Sequence, residues 1–149
     1  MNDASAYMVK VTRLCEVPSG PAATPASAYA YWQNVIAKQS WFDADKEHLI
    51  ALSLNAHGDV QGFSLVSIGS LTETVAFPRE IFRAAVAQCA FAIVLMHNHP
   101  GESTTPSDAD ERVTTRLAAC GDVLAIPLLD HIIVTNGGAL YSFRANGKL

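Results

Sequence analysis

Charge is sparse in these 149 residues, and what there is leans acidic: ten Lys and Arg stand against fourteen Asp and Glu, a net charge of −4. Nucleic-acid binders usually carry a basic excess or patch, so composition leaves no clear nucleic-acid patch here. Cysteine is scarce as well. Cys15, Cys89 and Cys120 are scattered without any C-x-x-C spacing. Cys89 and Cys120 fall in apolar helical stretches and read as buried small residues, which suits a reduced, cytoplasmic setting. No N-terminal apolar run resembles a signal peptide, and no stretch reaches the roughly 20 residues needed to cross a membrane. There is no internal repeat.

Half of the residues are apolar, enough for one well-buried domain in a chain of this length. Residues 1–26 mix Ser, Pro, Ala and Gly (VPSGPAATPAS) and read as a flexible arm; residues 27–149 read as the single domain. A helix is expected from Ser27 to about Lys38, with Tyr29, Trp32, Val35 and Ile36 on one side. Strands at His48–Leu54 and Val60–Ile68, joined through Asn-Ala-His-Gly-Asp, make a hairpin. Pro78 opens a helix with an apolar stripe of Ile81, Phe82, Ala85, Val86 and Cys89. After a central strand and a third helix, Val123–Ile126 and Leu129–Thr135 read as strands separated by Pro127, and Asn136-Gly137-Gly138 turns into a last strand, Ala139–Phe143. The order predicts an α/β domain: a mixed sheet flanked by helices.

The rest is organised around FAIVLMHNHPGESTTPSDAD, residues 91–110. Phe91 to Met96 form an apolar run that reads as a strand buried on both faces. His97 and His99 follow, two residues apart, so in extended backbone both point to one side and can share one ligand. Pro100-Gly101 turns the chain, and a polar loop leads to a helix expected over Ser107–Ala119. On it Asp110, Val113 and Leu117 share the inward face, where a carboxylate needs a partner. Two imidazoles and one carboxylate are ligands of the kind that hold Zn²⁺ in an open catalytic site; the same set also suits Fe(II). Ser107-x-x-Asp110 is equally the pattern of a capping box, and the two roles are compatible.

The spacing His-x-His, seven residues, Ser-x-x-Asp resembles the JAMM (MPN+) metallopeptidase motif. The surrounding HNHPG…TPSDAD, LLDHIIV and FPREIFRAAV resemble the RadC-type branch of that superfamily, over about Lys46 to Phe143. The resemblance implies the JAB/MPN-like (cytidine-deaminase-like) fold and a Zn²⁺ held by His97, His99 and Asp110. It further implies that Ser107 stabilises a developing oxyanion and that a glutamate from an upstream strand is the general base. Glu47, just before HLIALSL, matches that glutamate; Glu73, Glu80 and Glu102 compete, Glu80 being also a first-turn acid suited to its helix. The contiguous His-Asn-His letters do not match HNH nucleases, whose residues are spread over a hairpin and a helix.

These residues predict a zinc-dependent hydrolase cleaving an amide, peptide or isopeptide bond. The alternative is a RadC-type accessory or interaction module associated with DNA repair and without peptidase activity. Longer RadC-type chains carry a helix-hairpin-helix segment that the first forty-odd residues are too short to supply, and residues 101–105 read Gly-Glu-Ser-Thr-Thr where Ser-Gly-Asp-Pro is usual. No insertion long enough to grip a ubiquitin-like partner is present; a peptide or amide-bearing substrate is expected, and the hairpins leave sheet edges for a homo-oligomer. Within LLDHIIV, at least one of Asp130 and His131 reads as semi-buried and hydrogen-bonded, with a structural or supporting role such as orienting a ligand imidazole. His48 and His57 read as surface residues.

Overall fold

The computed structural model describes residues 16–69 and 76–149. Its first helix, α1 (Pro25–Asn34), begins two residues ahead of the expected Ser27 because Thr24 caps it: the Thr24 hydroxyl accepts from the Ser27 amide, the Ser27 hydroxyl accepts from the Thr24 amide, and proline occupies the first turn. A single 3-10 turn, Ile36–Lys38, completes the stretch. Part of the segment read as a loose arm is packed. The Gly20 carbonyl accepts from Val60 N (2.8 Å), Ala22 N donates to the Gly58 carbonyl (2.9 Å), and Ala22 is fully buried. Small residues suggested looseness, but small size is also what lets this strand of chain lie against a turn. Residues 1–15 of that arm lie outside the described residues.

The hairpin β1 (His48–Leu54) and β2 (Val60–Ile68) has the expected bounds. Its turn is held by the Asn55 side chain, which accepts from the amides of His57 and Asp59. Helix α2 (Pro78–Ala87) buries Ile81, Phe82 and Ala85, but Val86 is 56 % exposed and Cys89 is exposed. The helix has ended by Cys89, whose left-handed backbone (φ 52°) swings the chain away, so the stripe stops a turn early. Strand β3 (Ala92–His99) follows. Phe91, read as its first buried residue, lies outside it and is 59 % exposed.

Helix α3 runs Asp108–Leu124, so the strand expected at Val123–Ile126 does not form; Val123 is helical and 87 % exposed. Gly121 explains the extension. A glycine inside a helix costs roughly 1 kcal/mol relative to alanine, yet here a Cβ would stand 2.6 Å from the Ile126 carbonyl oxygen. The glycine serves close approach, not termination, and the helix stops at Ala125 in the left-handed conformation. Strands β4 (Leu128–Thr135) and β5 (Leu140–Ser142) finish the chain.

The sheet has the order β2-β1-β3-β4-β5. All neighbours are antiparallel except β3 and β4, which α3 joins as a parallel crossover. Alternation divides the core. Ile50, Leu52, Val94, Met96, Ile132 and Val134 pack beneath α1 with Tyr31 and Trp32. Leu49, Ala51, Ile93 and Leu95 pack beneath α2 and α3 with Phe82, Val113 and Leu117. His97 and His99 continue the second series, so both rings emerge under the first turn of α3.

Candidate metal centre

Two local devices aim this site. The first is the start of α3, where the Ser107 hydroxyl accepts from Asp110 N (3.1 Å) and Asp110 Oδ2 accepts from Ser107 N (2.8 Å). This capping box turns the Asp110 carboxylate toward the end of β3, where it is buried. The second is Asn98, which faces away between the histidines, as strand alternation requires. Its Oδ1 accepts from His48 N (2.8 Å) and its Nδ2 donates to the Lys46 carbonyl (2.8 Å). Leu49 pairs with His97 in the antiparallel register; continuing it two residues sets Glu47 opposite His99.

The donor atoms converge. His97 Nε2 lies 3.0 Å from His99 Nε2 and 3.4 Å from Asp110 Oδ1, and His99 Nε2 lies 3.6 Å from Asp110 Oδ2. Donors held about 2.0 to 2.2 Å from one tetrahedral ion stand roughly 3.3 Å apart, so the spacing fits a single cation. The chemistry of the donors fits too. His99 Nδ1 faces the Ser103 carbonyl at 2.9 Å; a carbonyl only accepts, so Nδ1 carries a proton, and Nε2 either bears the second proton of an imidazolium facing Asp110 or, in the neutral ring, presents a lone pair to a cation. These three residues form a group able to hold a metal ion.

Electrostatics show how closely the groups are coupled. Burial opposes ionisation of Asp110, but the His97 and His99 imidazoles facing the carboxylate outweigh it and hold the carboxyl below the usual aspartate range. The adjacent Asp110 carboxylate raises His99 against the effect of burial, with the Ser103 carbonyl and the charge of Glu47 adding to the rise. Glu47 is half-buried, and its charge acts on the same imidazole that its register position faces.

Other expected residues fall in different places. Ser107 is exposed at the rim. Its oxygen accepts from Asp110 N, a bond that does not use the hydroxyl proton. Glu102 is exposed in the loop. Glu80 is engaged at the first turn of α2 by Arg83 (2.9 Å) and Arg79 (3.4 Å). Glu73 lies outside the described residues. His57 is exposed, but His48, read as surface, is fully buried. It alternates onto the α1 face, where its ring lies 4.7 Å from that of Phe42 and its Nδ1 is 2.9 Å from the Lys46 carbonyl.

Asp130 and His131 are both buried. His131 Nε2 stands 2.8 Å from His97 Nδ1, and its ring stacks on Phe143 at 4.8 Å and 7°. Burial drives His131 well below the usual imidazole range, the nearby His97 adding to the shift, so it is neutral. Burial also raises Asp130, against hydrogen bonds from Ser142, Arg144 N and His131 N. Two contributions are not readable from the ligand motif: the partners of Asn98, which alternation only turns away from the histidines, and Thr114, whose Oγ1 is 2.6 Å from His131 Nδ1. Thr114 follows Asp110 by one helical turn, and that i, i+4 relation was a readable signal. Nothing local marks Asn98, whose partners lie some 50 residues away.

No helix among the described residues is long and apolar enough to cross a membrane. Comparison with known sequences finds relatives over the region that holds the site. A protein named "UPF0758 protein" from Chlorobaculum parvum is 46% identical over 107 residues, 72% of this chain and 48% of the relative. Its namesake from Chlorobium phaeovibrioides is 45% identical over 121 residues, 81% of this chain and 52% of the relative. Another, from Moorella thermoacetica, is 44% identical over 93 residues, 62% of this chain and 41% of the relative. The chain therefore spans about half the length of the curated relatives it matches. Residues 22–148 match the family described as RadC-like JAB domain, and with that match and these relatives the chain belongs to the RadC-like JAB domain family.

Proposed function

We propose that the chain is a zinc-dependent hydrolase of amide bonds, acting on a peptide, isopeptide or other amide-bearing substrate. The observation that carries this reading is the cup of acceptor atoms formed by His97 Nε2, His99 Nε2 and the Asp110 carboxylate, mutually 3.0 to 3.6 Å apart, with Glu47 acting electrostatically on His99 at its edge. A bound Zn²⁺ supplies Lewis acidity and brings the pKa of water to about 7.

The protein residues supply the rest. Glu47 accepts a proton from the attacking water and returns it to the leaving amine, a role worth about 10² to 10⁴ in rate. Ser107, with its hydroxyl proton not used by the cap, donates to the oxyanion of the tetrahedral adduct, an interaction worth about 2.7 to 4 kcal/mol. Asp110 completes the ligand set while its Oδ2 accepts from Ser107 N, which ties the oxyanion donor to the ligand. The free thiols Cys89 and Cys120 fit a reducing, cytoplasmic location.

The test is metal content after purification without chelator, beside hydrolysis of a peptide library. Wild type should hold about one zinc, Asp110→Ala should lose it, and Glu47→Ala should keep the metal and lose hydrolysis. Equal metal in wild type and Asp110→Ala would leave Ser107 and Asp110 as a helix cap alone, and the chain would then be an interaction module.

A further inference from the structure

A run of short hydrogen bonds leads from one proposed ligand back to the helix that bears another. His97 Nδ1 and His131 Nε2 are 2.8 Å apart, His131 Nδ1 and Thr114 Oγ1 are 2.6 Å apart, and Thr114 Oγ1 lies 2.6 Å from the Asp110 backbone carbonyl. Every group in it is buried, so water does not offer alternative partners. The carbonyl end sets its direction. Asp110 O can only accept, so the Thr114 hydroxyl must donate to it; the other arrangement would press two lone pairs together at 2.6 Å. With its proton committed, Thr114 Oγ1 accepts from His131 Nδ1–H. A neutral imidazole with hydrogen on Nδ1 has a lone pair on Nε2, so His131 accepts from His97 Nδ1–H. His97 Nε2 is then left as a lone pair facing His99 and Asp110.

We propose that Thr114 is a positioning residue for the metal centre: acting through His131, its hydroxyl fixes the tautomer of His97 in which Nε2 is free to ligate. The inference rests on the metal-centre reading for its purpose, while the proton assignment is a property of the metal-free protein. Stacking on Phe143 holds the His131 ring in the plane that both bonds need. Without the Thr114 hydroxyl, His131 Nδ1–H has no acceptor, and His131 gains by carrying its proton on Nε2. That proton then points at His97 Nδ1 and drives the His97 proton onto Nε2, where it blocks the ligand position.

Thr114→Val keeps the side-chain shape and removes the hydroxyl, whereas Thr114→Ser removes a methyl and keeps the hydroxyl. Metal-free protein labelled with ¹⁵N-histidine, observed above the imidazole titration range, reports which nitrogen of His97 is protonated; zinc affinity is read by competition with a chromophoric chelator. Wild type and Thr114→Ser should show His97 protonated on Nδ1. Thr114→Val should move that proton toward Nε2 and weaken zinc binding about 10- to 100-fold, the range for a lost partner of a ligand. His131→Gln, which can still accept from His97 and donate to Thr114, should bind more tightly than His131→Phe. An unchanged His97 tautomer in Thr114→Val overturns the proposal, as does weakened binding in Thr114→Ser alone, which would point to packing. Absence of zinc from wild type would defeat the metal-centre reading and leave the tautomer result to decide this one.

Discussion

Asn98 Oδ1 accepts from the backbone amide of His48 at 2.8 Å, a bond across 50 residues of sequence that fixes where Glu47 stands. The same side chain donates to the Lys46 carbonyl, so one residue between the two histidines grips both neighbours of Glu47. Asn98→Ala should destabilise the fold by about 1 to 3 kcal/mol, because the buried His48 amide loses its partner, while the Lys46 carbonyl keeps only the His48 ring nitrogen. It should also reduce amide hydrolysis while leaving zinc content unchanged, since no ligand is touched. Denaturant melts beside metal analysis check this; loss of metal in a folded Asn98→Ala protein would assign Asn98 to ligand placement instead.

Metal-free protein should be most stable in mildly acidic solution. Asp110 titrates below its ordinary value, so its contribution is present above about pH 3.9 and is lost as pH falls through the depressed value. His99 titrates above its ordinary value, so its contribution is present below about pH 6.5 and is lost as pH rises through the elevated value. The interval between about pH 4 and 6.5 holds both, but His131, kept neutral by burial, costs stability as pH falls below about 6.5. Unfolding midpoints of chelator-treated protein should therefore be highest toward pH 6.5, and a midpoint still climbing from pH 6.5 to 9 would contradict the pairing.

Zinc at about a hundred times its dissociation constant should stabilise the chain by about 2.7 kcal/mol, or roughly 5 to 10 °C in melting temperature for a protein of this size. His99→Ala and Asp110→Ala should abolish the gain, and a chelator should reverse it in wild type. An equal gain in Asp110→Ala would place the ion elsewhere.

Gly121→Ala sets two effects against each other. Helix propensity favours alanine by about 1 kcal/mol, but the new Cβ would meet the Ile126 carbonyl oxygen at 2.6 Å, and overpacking costs typically about 1 to 3 kcal/mol. Backbone cannot rotate away as a side chain can, so the variant should be less stable than wild type. A stabilised Gly121→Ala in thermal melts would show that the α3–β4 connection yields.

Much of this architecture was legible because it follows from local rules. Period-two alternation located β1 and β2 and placed His97 and His99 on one face; helical spacing put Asp110, Val113 and Leu117 inward; Ser-x-x-Asp named the start of α3. Where local signals mislead, one residue type had two possible uses. Val123 was placed in a strand and continues α3, Cys89 extended a stripe that its left-handed backbone ends, and the small residues around Ala22 resembled a free arm and are packed.

By itself the sequence determined the element order as far as the start of α3, the facing of both histidines and the type of the three candidate ligand side chains, because periodicity and residue chemistry are carried along the chain. Only the tertiary structure decided that His97 Nε2, His99 Nε2 and the Asp110 carboxylate lie 3.0 to 3.6 Å from one another, that Asn98 reaches Lys46 and His48, and that Thr114 and His131 stand behind His97. Those relations depend on the register of β1 against β3 and on the close approach of α3 to β4. Both are set by packing between segments distant in sequence, which no local pattern encodes.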